Sequence, residues 1–445
     1  MGIELNKTYL NNVVATVVLL LSVLVLPSCN EFPNEVGSVM ATDSVSATTV
    51  TSLDDTTLIA SSKGSLTRSV QYNSGNLYIG ATSTARAATL IRFVNIPDSL
   101  KSLTESQIDS VRIYIMPHRY VFGDSVNNTL EFNVVALKKA WIVNDKDGKV
   151  KLEPRWNDLF TNGITPSPAY FGATLGTFNG TVALNDTLKD ATIPCSTNEM
   201  KSLLVQWFKD NADTATRGNI YGIGFVPTAN SKVIREFNTR STSDQTSQLV
   251  RMNVYYRRPS DAGRDSLILL SGNDATFCDA DLPDSTQYIS TQSLLQTNGE
   301  IVLNINSLPK DPTVAKAQLK LYADTTMFQG GNNGLPTSIM ITVNVDYDTS
   351  KYDHKNISKS TSFAYYATKS STSNEYTSDN FARVLEQARR DNAILKSSGK
   401  ITILVYANNS RFERSVFYTS NNPDKNKRPK LIVSYLTRPT FGGKQ

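Results

Sequence analysis

GIGFVPTANSKVIREFNTRSTSDQTSQLVRMNVYY, residues 222–256, returns as ITILVYANNSRFERSVFYTSNNPDKNKRPKLIVSY, residues 401–435. The two stretches align without a gap at an offset of 179. Seven positions are identical: Val226/Val405, Asn230/Asn409, Ser231/Ser410, Arg235/Arg414, Ser241/Ser420, Val254/Val433 and Tyr256/Tyr435. Each copy reads as an apolar strand, an Asn-Ser turn, a second strand, a polar loop and an alternating strand closed by Arg-Pro (Arg258-Pro259, Arg438-Pro439). Solenoid repeats run ~20–50 residues, so a period this long implies tandem domains.

Working outward, the same order of events precedes both tails. In the first copy, Thr89–Val94 and Ser110–Met116 alternate as strands do, and Leu130–Ala136 follows and leads into Trp141. In the second, Glu300–Ile305, Ala317–Tyr322 and Ile339–Val345 occupy those places, and Leu308-Pro309 echoes Ile96-Pro97. One helix is expected per copy. Ser196-Thr197-Asn198-Glu199 has capping-box spacing, and Met200, Leu203, Leu204 and Trp207 fall on one helical face. Phe381, Val384, Leu385 and Ala388 take those places in a helix at about 378–390. Between the second strand and the tail the second copy is 27 residues shorter, the missing length falling between third strand and helix. That longer loop contains Asp147-Gly148, a hairpin turn, and the aromatics Trp156, Phe160, Tyr170 and Phe171. Loops carry function more often than scaffolds do, so the two copies are expected to be functionally unequal.

Apolar residues make up 40% and charged residues 19%, enough to build a core in each copy, and Thr, Val, Ile and Tyr favour strands over helices. The formal charge of +5 is dispersed, with no basic run, which argues against nucleic acid as a partner. Two histidines and three cysteines, with no CxxC, HxH or HExxH, leave almost no ligands for zinc.

Val13–Leu26 is an apolar run of signal-peptide length, too short for a comfortable membrane span, and it ends in Leu26-Pro27-Ser28-Cys29. A small residue before a cysteine at that point resembles the bacterial lipobox. The resemblance implies lipidation of Cys29 and, with Asn30 following, sorting to the outer membrane, anchored by lipid; the side it faces is not written in these residues, and the cell surface is the expectation. Several acyl chains on one residue give an anchor that is not readily reversed. The expected organisation is a signal peptide over 1–28, the lipidated cysteine and a flexible tether over 29–54, one β-sandwich domain over 55–259 and a second over 262–445.

Many short strands, Gly/Asn/Pro turns and one short helix per copy point to a mainly β protein of two tandem jelly-roll-like sandwiches. The particular order can be matched further: an Ile-Arg-Phe strand before Ile96-Pro97, Ile108–Ile115, a helix ending Leu204-Val205-Gln206-Trp207, then Tyr221–Phe225 and the closing Leu431–Tyr435. It resembles the DNRLRE-type, disaggregatase-related β-sandwich domains, which are similar to carbohydrate-binding modules. The resemblance covers about 85–257 and, more loosely, 298–436. It implies a glycan-binding or adhesive module outside the cytoplasm and names no ligand.

Sugar binding needs aromatic faces with polar rims. The candidates are Tyr120, Trp141, Trp156, Tyr170 and Phe171 in the first copy and Tyr347, Tyr352, Tyr365, Tyr366 and Tyr376 in the second, although Trp141 and Trp207 suit a core. His118, Arg119 and His354 lie in loops beside them, and Arg235 and Arg414 either meet an acidic sugar or brace a neighbouring strand. No motif for catalysis is present, so no catalytic residue is assigned. No metal is assigned either: the acids Asp274, Asp279, Asp281 and Asp284 either hold Ca²⁺ or form an acidic turn. Cys195 and Cys278 form a disulfide or stand as two buried thiols.

Asp followed by Ser or Thr and then an aliphatic residue or Thr recurs at Ser44, Thr56, Ser99, Ser110, Ser125, Thr187, Thr214, Ser266, Ser285 and Thr325. It looks like an O-glycosylation motif of extracytoplasmic proteins, and Asp-Ser and Asp-Thr also make good turns. The expected function is therefore non-catalytic binding of glycan or another surface polymer by a lipid-anchored protein. The competing expectation is a structural or accessory subunit docking on an outer-membrane protein or in a fimbria-like assembly. A polysaccharide-degrading enzyme ranks third.

Overall fold

The computed structural model describes residues 46–66, 70–123, 128–144, 150–152, 154–181, 190–239, 250–258, 260, 263–308, 313–332, 334–346, 360–379, 381–391, 395, 399–408 and 411–437. The chain falls into a large unit, 49–310 with 314–434, and a small one, 1–48, 311–313 and 435–445. In the small unit the described residues, 46–48, 313 and 435–437, are strand.

Among the described residues strands take 56% and helices 13%, which makes the fold mainly β. The strands are β1 (Ser46–Thr51), β2 (Ile59–Leu66), β3 (Val70–Tyr72), β4 (Asn76–Ala81), β5 (Ala85–Val94), β6 (Ile108–Gly123), β7 (Thr129–Leu137), β8 (Ile142–Asn144), β9 (Val150–Leu152), β10 (Phe160–Thr161), β11 (Thr165–Pro166), β12 (Phe171–Thr181), β13 (Ala191–Pro194), β14 (Ile223–Pro227), β15 (Val233–Asn238) and β16 (Arg251–Arg257). They continue as β17 (Arg264–Ala280), β18 (Tyr288–Thr291), β19 (Thr297–Asn304), β20 (Thr313–Tyr322), β21 (Ser338–Asp346), β22 (Ser360–Lys369), β23 (Glu375–Ser378), β24 (Lys400–Ala407), β25 (Ser415–Tyr418) and β26 (Lys430–Thr437). The α-helices are α1 (Trp156–Leu159), α2 (Asn198–Ala212) and α3 (Ala382–Arg390).

An eleven-stranded sheet runs β12-β7-β14-β5-β4-β15-β6-β16-β17-β3, with β13 also on β6 and β17 returning to pair with β5. A nine-stranded sheet runs β1-β26-β20-β23-β22-β21-β24-β19-β2. The order β12-β7-β14-β5 in the first recurs as β22-β21-β24-β19 in the second. β16 lies on β6 as β26 lies on β20, and β4 pairs β15 as β18 pairs β25.

The sheets do not divide at residue 260. β16 turns back into β17, whose first half pairs with β16 (Arg257↔Arg264 to Arg251↔Leu270) and whose second half pairs with β5 (Leu270↔Val94 to Ala280↔Ala85). Residues 264–280 therefore complete the sheet of the first copy. In the second sheet the same two places, beside β26 and beside β19, are filled by β1 and β2 from the start of the chain. Tether and strand thus overlap: Ser46–Thr51, expected in the flexible tether, is strand. The physical reason is that the closing strand of each copy, β16 or β26, would otherwise end as an unpaired edge.

The amphipathic faces behave as their spacing requires. α2 buries Met200, Leu204, Val205, Trp207 and Phe208 against Ile91, Phe93, Val134, Ile223 and Phe225. Its N-cap is Thr197, whose hydroxyl accepts from Met200 N at 3.2 Å, so the cap lies one residue later than the Ser196–Glu199 spacing suggests. α3 buries Val384, Leu385 and Ala388 after a buried Phe381. Gly222 stands at φ +94°, where a Cβ would lie 1.9 Å from Ile91 O, so both conformation and space demand glycine.

The ungapped repeat slips by one face at its first strand. Phe225 points into the core beside α2 and Val226 away from it. Val405, identical to Val226 in the alignment, lies across from Ile341, and Ile341 from Tyr365, whose ring meets Phe381 at the start of α3. Directly paired residues share a face. Val405 therefore does the work of Phe225, and Tyr406 stands where Val226 does.

Candidate functional site

Most of the expected contact residues are packed inside. β6 runs on to Gly123, so His118, Arg119 and Tyr120 lie within a strand instead of a loop. Tyr120 is buried; its hydroxyl accepts from Phe412 N at 3.0 Å, and Phe412 packs on Tyr78 and Phe122. Half-buried His118 places Nδ1 2.8 Å from Glu236 Oε2. Arg119 is exposed, and its carbonyl accepts from Asn332 Nδ2 at 2.8 Å. Arg235 and Arg414 are buried, and burial pushes both guanidinium pKa values down to about 10. Arg414 donates from Nη1 to Asp281 O at 2.7 Å and from Nε to Gln292 Oε1 at 3.3 Å, a bracing role. Tyr347, Tyr352 and His354 lie outside the described residues, as do the expected signal peptide over 1–28 and Cys29. Among the described residues no helix is long and apolar enough to cross a membrane.

The first-copy aromatics serve a different purpose: they roof a sheet. The side of β5, β7, β14 and β17 turned away from α2 carries Ala88, Leu90, Val135, Leu137, Val226, Ala275 and Phe277. Trp141, Trp156, Leu159, Phe160, Tyr170 and Phe171 cover it in one buried cluster. Trp156 stacks on Phe160 with centroids 4.2 Å apart, and both indole N–H groups are satisfied: Trp141 donates to Tyr221 O at 2.9 Å and Trp156 to Gly163 O at 3.0 Å. Tyr170 and Phe171, expected to face a ligand, are thus buried in this roof. The extra length of the first copy is spent covering apolar sheet.

The matching side of the second sheet has another chemistry. Across β22, β21, β24, β19 and β2 the paired residues form a row, Tyr366–Met340–Tyr406–Asn298–Ser65. Beside it runs a second, Ala364–Thr342–Leu404–Glu300–Lys63. Tyr366 is 58% exposed, the largest value among the exposed large hydrophobic side chains described, and Met340, Tyr406 and Leu404 are half-buried. One strand separates the two tyrosines, which puts their backbones about 10 Å apart on one face. Polar groups rim them: Asn298, the Glu300–Lys63 pair at 3.6 Å, and Ser338, whose hydroxyl accepts from Asn408 Nδ2 at 2.9 Å. Tyr365 and Tyr376 point the other way; Tyr376 is buried and donates to Pro336 O at 2.5 Å. Of the expected aromatics in this copy, Tyr366 alone is exposed among those described. Tyr406, Met340 and Asn298 were missed, although the alternation in IMITVNV and ITILVYA marks 340 and 406 as outward positions once the core face is known.

A cleft of about 580 Å³ lies among Thr82–Thr84, Asn162, Ser231, Lys232 and Gln329, with Arg86 on its wall. Arg86 is held by Asp281 and, at 3.3 Å, by Asp279. Asp284 accepts from Thr286 N and Oγ1, both at 2.9 Å, which holds its carboxyl below the usual range. Asp279 and Asp281 are therefore spent on an ion pair and Asp284 on a turn, Asp274 is buried within β17, and among the described residues no three His, Cys, Asp or Glu side chains are grouped to hold a metal. Cys195 and Cys278 are free, buried thiols in separate clusters.

Four of the seven described Asp-Ser/Thr triplets share one geometry, while Ser99, Ser110 and Ser266 lie in a 3-10 turn or in strands. Asp55, Asp213, Asp284 and Asp324 each accept on Oδ1 the backbone N–H two residues on, at 2.9–3.0 Å. The hydroxyl between, Thr56, Thr214, Ser285 or Thr325, stands exposed at the turn. Ser44, Ser125 and Thr187 lie outside the described residues.

Compared with protein-family models and with curated proteins, the chain matches none.

Proposed function

We propose that this chain is a lipid-anchored protein of the outer membrane, exposed at the cell surface, whose duplicated β-sandwich modules bind glycan or another surface polymer without cleaving it. The two modules are sandwiches that exchange their finishing strands, the first completed by 264–280 and the second by 46–66. The contact face is the Tyr366–Met340–Tyr406 row. The observation supporting this reading is the contrast between equivalent sheet faces, one roofed by tryptophans and the other left open with two tyrosines among amides and charges. Aromatic faces with polar rims suit the apolar faces and hydroxyl edges of sugar rings. The likeness of the strand order to carbohydrate-binding modules points the same way. The exposed hydroxyls of the Asp-Ser/Thr turns, Thr56 among them, fit O-glycosylation in the same compartment, readable by glycopeptide mass spectrometry.

Affinity electrophoresis through gels containing a panel of polysaccharides tests the binding. One or more polymers should retard the protein, and Tyr366→Ala and Tyr406→Ala should each weaken retardation. An aromatic contact is worth ~0.5–1.5 kcal/mol, so the loss per tyrosine is about two- to tenfold. Retardation unchanged in the double variant would remove this face from the reading; retardation by no polymer would remove the reading itself. The second reading, a subunit of an outer-membrane or fimbria-like assembly, is favoured by one specific feature: both edges of the nine-stranded sheet come from the chain's start.

A further inference from the structure

In the first module the strand beside β16 and the strand beside β5 are one continuous element, β17, which follows β16 directly in sequence. In the second module those two places are filled by β1 and β2, more than two hundred residues away in sequence from β19 and β26. The attachment is almost wholly backbone pairing and hydroxyl bonds. β2 pairs with β19 from Leu66↔Thr297 to Ile59↔Leu303. Ser52 N donates to Leu431 O at 2.9 Å, Leu431 N to Ser52 Oγ at 3.0 Å, and Ser420 N to Ser62 Oγ at 2.6 Å. Only Leu58 and Ile59 of residues 49–66 are buried apolar side chains. A segment with many edge hydrogen bonds and little apolar anchorage belongs to the low-stability end of a fold. When it leaves, it uncovers β19 and β26 as two unpaired edges, which are templates for an incoming strand.

We propose that residues 49–66 are an exchangeable strand donor, and that the second module is an acceptor which a second copy of this chain fills with its own 49–66. Recognition is by strand addition: main-chain hydrogen bonds supply affinity, and the sites of Leu58, Ile59 and Ser62 supply register. Donor and acceptor are different surfaces, so the contact is heterologous and successive copies join head to tail. This inference does not depend on the glycan reading.

The test uses the full mature chain with a protease site placed between Leu66 and Val70 and cut after folding. A fluorescent synthetic peptide of residues 46–66 is the probe, with an Ile59→Asp peptide as its control. The nicked protein should take up the first peptide saturably, and the control should bind more than about tenfold more weakly, since it buries a charge. Uncut protein held at high concentration should form dimers and longer species by light scattering, and excess peptide should suppress them. Failure of the nicked protein to capture the peptide overturns the proposal. So does loss of the native segment with no change in hydrogen exchange at β19 and β26.

Discussion

A chain that ends at Ser260 should fail where one that ends at Asp284 succeeds. The sequence repeat places a seam at 260, yet β17 begins at Arg264 and pairs along both β16 and β5. Ending at 260 strips β5 and β16 of a neighbour and removes Leu269 and Phe277, each 1% exposed or less, together with Ala275 and Cys278. Burial of one Leu or Phe is worth ~1.5–3 kcal/mol, so these two alone account for ~3–6 kcal/mol. That rivals the ~5–15 kcal/mol net stability of a typical domain before any backbone hydrogen bond is counted. Residues 70–260 and 70–284 would be expressed in parallel and compared by urea unfolding followed by tryptophan fluorescence. The longer fragment should show a cooperative transition, and the shorter one none, or aggregation. Equal midpoints for the two would refute the reading that β17 completes the sheet of the first copy.

The other expectations are smaller in scope. Gly222→Ala forces a Cβ to 1.9 Å from Ile91 O at positive φ and should cost at least ~1–3 kcal/mol, read as a lowered thermal midpoint. Thr197→Ala removes the cap of α2 and should cost ~1 kcal/mol, with Thr197→Ser restoring most of it. Burial pushes the Cys195 thiol up to about 12 and that of Cys278 higher still, so neither should react with iodoacetamide near neutral pH until the protein is unfolded. Burial likewise raises Tyr376 from 10.0 to about 12. Its folded pKa exceeds its unfolded one, so its contribution is intact below pH 10 and is lost between pH 10 and 12, where tyrosinate absorbance should rise with unfolding.

How much of this was legible beforehand depends on the range of the interaction involved. Strand content, the helix faces of Met200–Trp207 and Phe381–Ala388, and the recurrence of one strand order rest on local alternation and on spacing along the chain. The sequence by itself determined those. It could not determine which aromatics meet solvent: Trp156 stands among Arg155, Asn157 and Asp158 yet is buried, while Tyr366 stands between Tyr365 and Ala367 yet is exposed, and what lies across the sheet decides it. Nor could it say that Val226 and Val405 face opposite ways, since a one-residue slip in a strand reverses every side chain. The same holds for the finishing strands. Arg264–Ala280 and Ile59–Leu66 carry no mark of the sheet they enter, and a strand edge accepts any backbone of suitable register. Only the tertiary structure decided those pairings, by leaving β19 and β26 each with one side unpaired until residues 46–66 return to them.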